Sequence, residues 1–123
     1  MRTTTLYLAS PYTHVDPAVR QQRFESACRA AAELIRSGSS VYCPIAHSHP
    51  LCRYGLASDW QFWQEHDLRF LDACDEIVVL KLDGWAQSIG VQAEIAAARA
   101  LGKPVSFLDV AAETSTSREA SSD

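Results

Sequence analysis

Apolar residues along this chain occur either in short continuous runs or at helical spacing. Four runs have the length and composition of buried strands: 5–9, 41–43, 76–80 and 105–108. Between the runs, apolar residues recur three and four positions apart in three segments, as expected for amphipathic helices: about 17–36, 59–74 and 88–101. The chain is therefore predicted to alternate strictly between strand and helix.

Capping residues mark the ends of these elements. Asp16 followed by Pro17 fits the cap and first position of the first helix, and Ser58 or Asp59 fits the cap of the second. The segment 44–57 contains two prolines, two histidines and a glycine, with little periodicity. We predict a long loop there, of the kind that often serves as a functional lid.

The alternation of strands and helices is typical of one α/β domain. It predicts an open parallel sheet of four to five strands with helices on both faces, as in Rossmann and flavodoxin-like proteins. Ligands of such sheets bind beyond the carboxyl ends of the strands, so the candidate binding segments are 9–15, 44–57 and 81–88. We assign the domain to residues 1–110 and expect a disordered, Ser/Thr-rich tail over 111–123.

Composition and charge exclude several classes of function. The chain of 123 residues has a formal net charge of -4 and no basic run that could follow a nucleic-acid backbone. No apolar run approaches the roughly 20 residues that span a bilayer, and no signal peptide is apparent at the start. We therefore expect a cytoplasmic protein that binds neither nucleic acid polymers nor membranes.

The cysteines and histidines give little support for a metal site. The four cysteines have no C-x-x-C spacing: Cys28, Cys43, Cys52 and Cys74. His47, His49 and Cys52 form an H-x-H-x-x-C cluster, which fits either a metal site or a polar loop whose histidines contact a ligand. We favour the loop, and we expect reduced thiols, no metal and no cofactor.

Two carboxylates fall on the apolar faces of predicted helices. Asp67 follows Trp63 by four positions, and Glu94 follows Val91 by three. A buried carboxylate without a partner is costly, so each needs a partner, a shifted pKa or a ligand. Alternatively, the helices are rotated so that both residues are solvated at the rim. Both helices adjoin the predicted ligand edge, which favours a functional role.

Polar residues at the same edge of the sheet suit an anion. Ser10, Tyr12, Thr13 and His14 in the first loop offer hydroxyl and N–H donors. Ser88 begins the third helix, where it fits a helix cap and a phosphate site equally well. The chain has neither G-x-G-x-x-G nor a P-loop motif.

Four motifs, taken together, are similar to those of one enzyme superfamily. They are Y-L-A-S-P-Y at 7–12, an Asp at 67 before C-D-E-I-V-V-L at 74–80, G-W-x-x-S-x-G-V-x-x-E-I-x-x-A at 84–98, and G-K-P-V at 102–105. This set resembles the nucleoside 2-deoxyribosyltransferase superfamily, which includes the deoxynucleoside 5'-monophosphate N-glycosidases. The P-I-A-H-S-H-P segment at 44–50 resembles a segment found in a small bacterial and phage branch of this superfamily.

The resemblance implies catalytic roles for three residues. Glu94 matches the nucleophile that attacks the anomeric carbon of the sugar, and Asp67 matches the acid that assists departure of the base. Tyr7 matches a residue that orients the nucleophile, although a tyrosine in a strand also fits simple aromatic packing. Carboxylates suit this reaction because its transition state resembles an oxocarbenium ion.

The resemblance also implies a set of substrate contacts. Ser88 stands where the monophosphate glycosidases contact the 5'-phosphate, whereas transferases of free nucleosides commonly have Asp there. An Asp would repel the phosphate dianion, so Ser88 favours a nucleotide. The full set of substrate-binding residues expected is Ser10, Tyr12, His14, His47, His49, Trp85, Ser88 and Gly90.

We therefore expect hydrolysis of the N-glycosidic bond of a nucleoside or deoxynucleoside 5'-monophosphate, which releases the free base and a sugar 5-phosphate. Two alternatives stay open: a 2-deoxyribosyltransferase that exchanges bases, and a nucleotide-binding sensor without turnover. The family's ordered C-terminal segment has no counterpart in this sequence, which favours hydrolysis over transfer. The resemblance further implies a homodimer or higher homo-oligomer.

Overall fold

A parallel sheet of four strands organises residues 4–110, the part of the chain that the structure, a computed structural model, describes. The strands are β1 (Thr5–Ala9), β2 (Ser40–Tyr42), β3 (Glu76–Leu80) and β4 (Val105–Leu108), in the spatial order β2-β1-β3-β4. The chain moves outward from β1 to β2 and then crosses to the other side for β3. The switch point of the strand order therefore lies between β1 and β3, and the predicted open parallel α/β fold is confirmed.

Helices cover both faces of the sheet. They are α1 (Pro17–Arg36), α2 (Pro44–Cys52), α3 (Trp60–Ala73) and α4 (Ile89–Ala100), with a short 3-10 turn at Trp85–Gln87. The cluster on one face joins α1 and α2 to alternate residues of β1 and β3, including Leu6, Leu8 and Val78. The cluster on the other face joins α3 and α4 to the intervening strand residues, including Tyr7, Ile77 and Val79.

Two predicted helix caps are formed by side chains. Asp16 Oδ1 accepts a hydrogen bond of 2.9 Å from the Ala18 amide, and Pro17 occupies the first position of α1. Ser88 Oγ accepts a hydrogen bond of 3.2 Å from the Val91 amide at the start of α4. Asp59 occupies the cap position of α3 without a capping hydrogen bond from its side chain.

The prediction of a long loop over 44–57 is wrong, because Pro44–Cys52 forms α2. Pro44 begins this helix, where its missing N–H costs nothing, whereas Pro50 lies inside it and obscures the helical pattern. Pro44, Ile45 and Ser48 are buried, so this helical spacing turns one face of α2 toward the interior of the protein. Tertiary packing therefore overrides a weak local preference.

Two further expectations concern the chain as a whole. Among the described helices, none combines the length and the apolar character needed to cross a membrane. The predicted tail over 111–123 lies outside the described residues, so the domain boundary at 110 stays a prediction.

Candidate active site

A cavity of about 700 Å³ opens at the carboxyl ends of β1 and β3, where the strand order switches. Its lining comes from the segment after β1, from α1, α2 and α3, from the segment that leads into α4, and from α4 itself. The polar and aromatic members of that lining include Ser10, Tyr12, Arg23, Ser48, Trp60, Trp63, Asp67, Ser88 and Glu94.

Glu94 and Tyr7 form a buried hydrogen-bonded pair beside this cavity. The Tyr7 hydroxyl, on the central strand β1, donates a hydrogen bond of 2.6 Å to Glu94 Oε2 on α4. The pKa of Glu94 is raised to about 8, chiefly because the carboxyl group is buried; the Tyr7 hydrogen bond lowers this pKa, and the negative charge of Asp67 raises it. Burial also raises the pKa of Tyr7, so its hydroxyl remains a donor.

Asp67 faces the same cavity from α3. The alternative of solvated carboxylates at the helix rims is wrong, since Asp67 and Glu94 are 7% and 5% exposed. Burial raises the pKa of Asp67, whereas His66, whose Nδ1 lies 3.2 Å from Asp67 Oδ1, lowers it. Two carboxylates that share a low-dielectric cavity resist simultaneous ionisation. The cavity can therefore hold one carboxyl group as a neutral acid beside the other as a carboxylate.

Ser10 presents a buried hydroxyl to the cavity without a protein partner. The residue is 8% exposed, and its Oγ makes no hydrogen bond within the described part of the chain. A buried hydroxyl of this kind calls for a ligand or an ordered water. The amino end of α4, a helix of 12 residues, also contributes to the lining through Ser88 and Gly90.

Gly90 packs closely against Trp60. A Cβ atom at Gly90 would lie 3.2 Å from the indole ring of Trp60, tighter than ordinary van der Waals contact. Both residues line the cavity. Trp60 is the first residue of α3, so the start of this helix helps to form the cavity wall.

Arg23 is a cavity residue that the sequence analysis missed. Its Nη1 donates a hydrogen bond of 3.0 Å to the Thr13 carbonyl, and its Nη2 donates one of 3.0 Å to the Asp83 carbonyl. A signal was available, because Arg23 precedes the buried Ala27 by one helical turn and therefore lies on the inner face of α1.

Two histidines predicted as substrate contacts lie outside the cavity lining. The Tyr12 hydroxyl is 2.6 Å from His49 Nδ1, while His49 Nε2 is 2.9 Å from Gln21 Oε1, so this ring joins α2 to α1. His47 stacks on His66 with the ring centroids 5.3 Å apart. Both histidines serve contacts between helices, and their role as substrate contacts stays a prediction.

His14 and Trp85 are also outside the lining. The ring of His14 accepts a hydrogen bond of 3.0 Å from the Asp16 amide, next to the start of α1. Trp85 packs against Phe107 of the edge strand β4, with the ring centroids 5.5 Å apart. By contrast, the structure does bring Ser10, Tyr12, Ser88 and Gly90 to the cavity.

The His47, His49 and Cys52 cluster does not converge on a common point suited to a cation. Within residues 4–110, no group of three or more His, Cys, Asp or Glu side chains is arranged to hold a metal ion. The four cysteines are free thiols.

Comparisons with known proteins agree with this architecture. No curated protein matches the chain. Among solved structures, a 2-deoxyribosyltransferase from the psychrotolerant bacterium Bacillus psychrosaccharolyticus has the same fold, with a TM-score of 0.63. The sequence identity is 24%, and the match covers 87% of this chain and 73% of that protein. The fold that the resemblance implied is thus confirmed. A family model described as a domain of unknown function, DUF1937, matches residues 4–110, and this chain belongs to that family.

Proposed function

We propose that this protein hydrolyses the N-glycosidic bond of a nucleoside or deoxynucleoside 5'-monophosphate. The observation that carries the proposal is the pair of buried carboxylates, Glu94 and Asp67, in the wall of one cavity, with Tyr7 bound to one of them. Packing alone does not account for two acids on inward helix faces. The reaction does account for them, since it needs an acid and a nucleophile side by side.

In the first step, Glu94 reacts as its carboxylate, which forms when the proton that burial favours on Glu94 passes to Asp67 in the shared cavity. That carboxylate attacks the anomeric carbon while the bond from that carbon to the base breaks. The Tyr7 hydrogen bond holds Glu94 Oε2, which fixes the orientation of the carboxylate. The departing base takes its proton from Asp67, whose pKa is raised by burial. The products of this step are a glycosyl ester on Glu94, the free base and an ionised Asp67.

In the second step, water attacks the anomeric carbon of the ester. The Asp67 carboxylate accepts the proton of that water, so the acid of the first step becomes the base of the second. Glu94 leaves as a carboxylate, and the site returns to its starting protonation. No metal or cofactor takes part in this scheme.

The 5'-phosphate is proposed to bind between Ser10 and the amino end of α4. The hydroxyl of Ser10 is buried and unpartnered within the described residues. The amides at the start of α4 and the positive end of its dipole favour an anion. Ser88 Oγ accepts the capping hydrogen bond from the Val91 amide, which leaves its O–H free to donate to a phosphate oxygen.

The test is a chromatographic screen of common and modified nucleotides for released base, with Glu94→Gln as the control. Gln keeps the size of Glu and can still accept the Tyr7 hydrogen bond, but it is not a nucleophile. We expect base release from at least one 5'-monophosphate by the wild-type protein and a loss of at least about 1000-fold in the variant. Equal release by both proteins would contradict the proposal.

Base exchange is the second candidate, and the fold of the 2-deoxyribosyltransferase supports it. In that reaction a second base, rather than water, attacks the glycosyl ester on Glu94. Incubation with one nucleotide and a different free base separates the two reactions, because exchange yields a new nucleotide. A sensor without turnover would instead bind nucleotide tightly and release no base.

A homo-oligomer is proposed as the assembly. Exposed apolar side chains support it, among them Ile89, 76% exposed beside the cavity, and Phe62, 50% exposed on α3. Sedimentation equilibrium measures the mass directly, and a monomer at micromolar concentration would refute the proposal.

A further inference from the structure

The cavity wall offers a phosphorylated ligand a single positively charged side chain among the described residues. Three carboxylate residues line it, Asp59, Asp67 and Glu94, whereas Arg23 is the one lysine or arginine of the described chain in the lining. A phosphate monoester carries nearly two negative charges at neutral pH. Helix-dipole effects of a fraction of a charge are smaller than this, so a phosphorylated ligand needs the charge of Arg23.

The guanidinium group of Arg23 has hydrogen-bonding capacity to spare. It carries five N–H donors, and two of them are used by the carbonyls of Thr13 and Asp83. Both hydrogen-bond partners are backbone carbonyls, and the Asp83 carboxylate is near enough to interact with the guanidinium charge without a described hydrogen bond to it. Three N–H donors of this cationic group thus remain for a ligand, in the planar arrangement that suits phosphate oxygens.

Arg23 also connects the two segments that form the proposed phosphate site. Thr13 belongs to the segment that follows Ser10, and Asp83 belongs to the segment that leads to Ser88. One planar group bound to both segments fixes the distance between them. The ligand therefore meets a prearranged site instead of ordering two loops on binding.

Gly84 makes room for this arrangement. It has a positive φ of 90°, and a Cβ atom there would lie 2.9 Å from Arg23 Nη2. Such a contact is shorter than real Cβ contacts, so any side chain would displace the guanidinium group. The positive φ favours glycine at position 84, and the lack of a side chain there leaves the guanidinium group in its bridging position.

We propose that Arg23 determines the selectivity of the cavity for a sugar phosphate over the unphosphorylated sugar, by holding the segments after β1 and β3 together and donating to the phosphate oxygens. The inference rests on the proposed function for the identity of the ligand. It goes further by assigning the discrimination between nucleotide and nucleoside to one side chain of α1.

The experiment compares wild type, Arg23→Gln, Arg23→Lys and the matched control Arg36→Gln, an exposed arginine on the same helix. For each protein, calorimetry measures the affinity for a deoxynucleoside 5'-monophosphate and for the same deoxynucleoside without phosphate, and circular dichroism verifies folding. Where base is released, KM and kcat are measured for both ligands.

We expect Arg23→Gln to weaken nucleotide binding by roughly 10- to 100-fold and to leave nucleoside binding within about twofold. Arg23→Lys keeps the charge but cannot bridge both carbonyls and the phosphate. Its nucleotide affinity should therefore lie between those of wild type and Arg23→Gln. Arg36→Gln behaves as wild type. A nucleotide-to-nucleoside affinity ratio that is unchanged in Arg23→Gln overturns the proposal, and so does a parallel loss of both affinities, which indicates a structural role alone.

The two proposals fail in different ways. Absence of base release by the wild-type protein from every nucleotide overturns the proposed hydrolysis, but the affinity ratios still decide the role of Arg23. Base release by the wild-type protein together with an unchanged ratio in Arg23→Gln overturns the role of Arg23 alone.

Discussion

Glu94 occupies a position where the neutral acid is favoured over the carboxylate. Burial raises its pKa from an ordinary 4.5 to about 8, so the folded state binds this proton more tightly than the unfolded state does. The resulting stabilisation is fully present below about pH 4.5 and is lost as the pH rises through about 8. Between pH 5 and 9, we expect wild type to lose on the order of 2–4 kcal/mol relative to Glu94→Gln.

Urea unfolding of both proteins at several pH values measures this difference. Glu94→Gln is the matched variant because it preserves the side-chain shape without titrating. Free energies of unfolding that run parallel across the pH range would show that Glu94 does not hold its proton in the folded state.

Ser10 provides a second test, in which stability and binding move in opposite directions. Its buried Oγ has no described partner, so Ser10→Ala removes a polar group that the fold itself leaves unpaired. We expect the free energy of unfolding to stay unchanged or to rise by up to about 1 kcal/mol, while nucleotide affinity falls by roughly 5- to 20-fold. Thermal unfolding and calorimetry measure the two effects, and a clear loss of stability would reveal a structural hydrogen bond.

The sequence indicates the reactive residues of this site better than its binding residues. Asp67 and Glu94 stand out because a carboxylate on an apolar helix face conflicts with packing, and the structure places both against the cavity. Ser10 was proposed for its hydroxyl, but its unpaired state depends on every neighbour and has no sequence signal. His47 and His49 are chemically suitable, yet their orientation depends on α2, a helix absent from the prediction.

At the scale of elements, α2 is held mainly by its contacts with α1. The ring of His49 lies between Tyr12 and Gln21, and it stacks on Phe24 with the centroids 4.3 Å apart. The local sequence gives little helical preference, since nine residues with an internal proline make a marginal helix. This dependence on tertiary contacts explains why the periodicity of 44–57 did not predict α2.

The contacts of His49 predict that the stability of α2 depends on pH. Burial lowers the pKa of His49, and the charges of Arg20 and Arg53 lower it further. The folded state therefore prefers the neutral ring, so the stabilisation is present above the unfolded pKa of roughly 6.5 and is lost as the pH falls through the lower folded value. We expect the amides of α2 to exchange faster at about pH 5 than at pH 7.5, after correction for intrinsic rates.

Hydrogen exchange with mass spectrometry resolves this effect, with the amides of α4 as an internal control. In His49→Gln, the α2 amides should exchange at corrected rates that no longer depend on pH over this range. Equal acceleration of α2 and α4 in wild type would instead indicate global destabilisation by acid, and would contradict a local role for His49.

At the scale of the whole molecule, the alternation of strands and helices was enough to predict the architecture. Strands β1 and β3 are buried on both faces, which is why they appear as continuous apolar runs and not as alternating ones. Once the sheet is parallel and its order switches between β1 and β3, the position of the cavity follows from topology. Details that depend on side-chain contacts, such as the Arg23 bridge, do not follow from topology.

Both core clusters and the cavity lining lie within residues 4–110, which is also the range that the family model matches. We therefore predict that a chain ending at Val110 keeps its melting temperature within about 2 °C and keeps its base-release activity. A chain ending at Lys103 serves as the comparison, because it lacks β4, which pairs with β3 over four residues, and should not fold stably. Calorimetry and the nucleotide assay measure both properties. A fall of more than about 5 °C on removal of 111–123 would place the domain boundary beyond residue 110. Loss of activity at an unchanged melting temperature would instead mean that this segment contributes to catalysis, and would contradict the prediction equally.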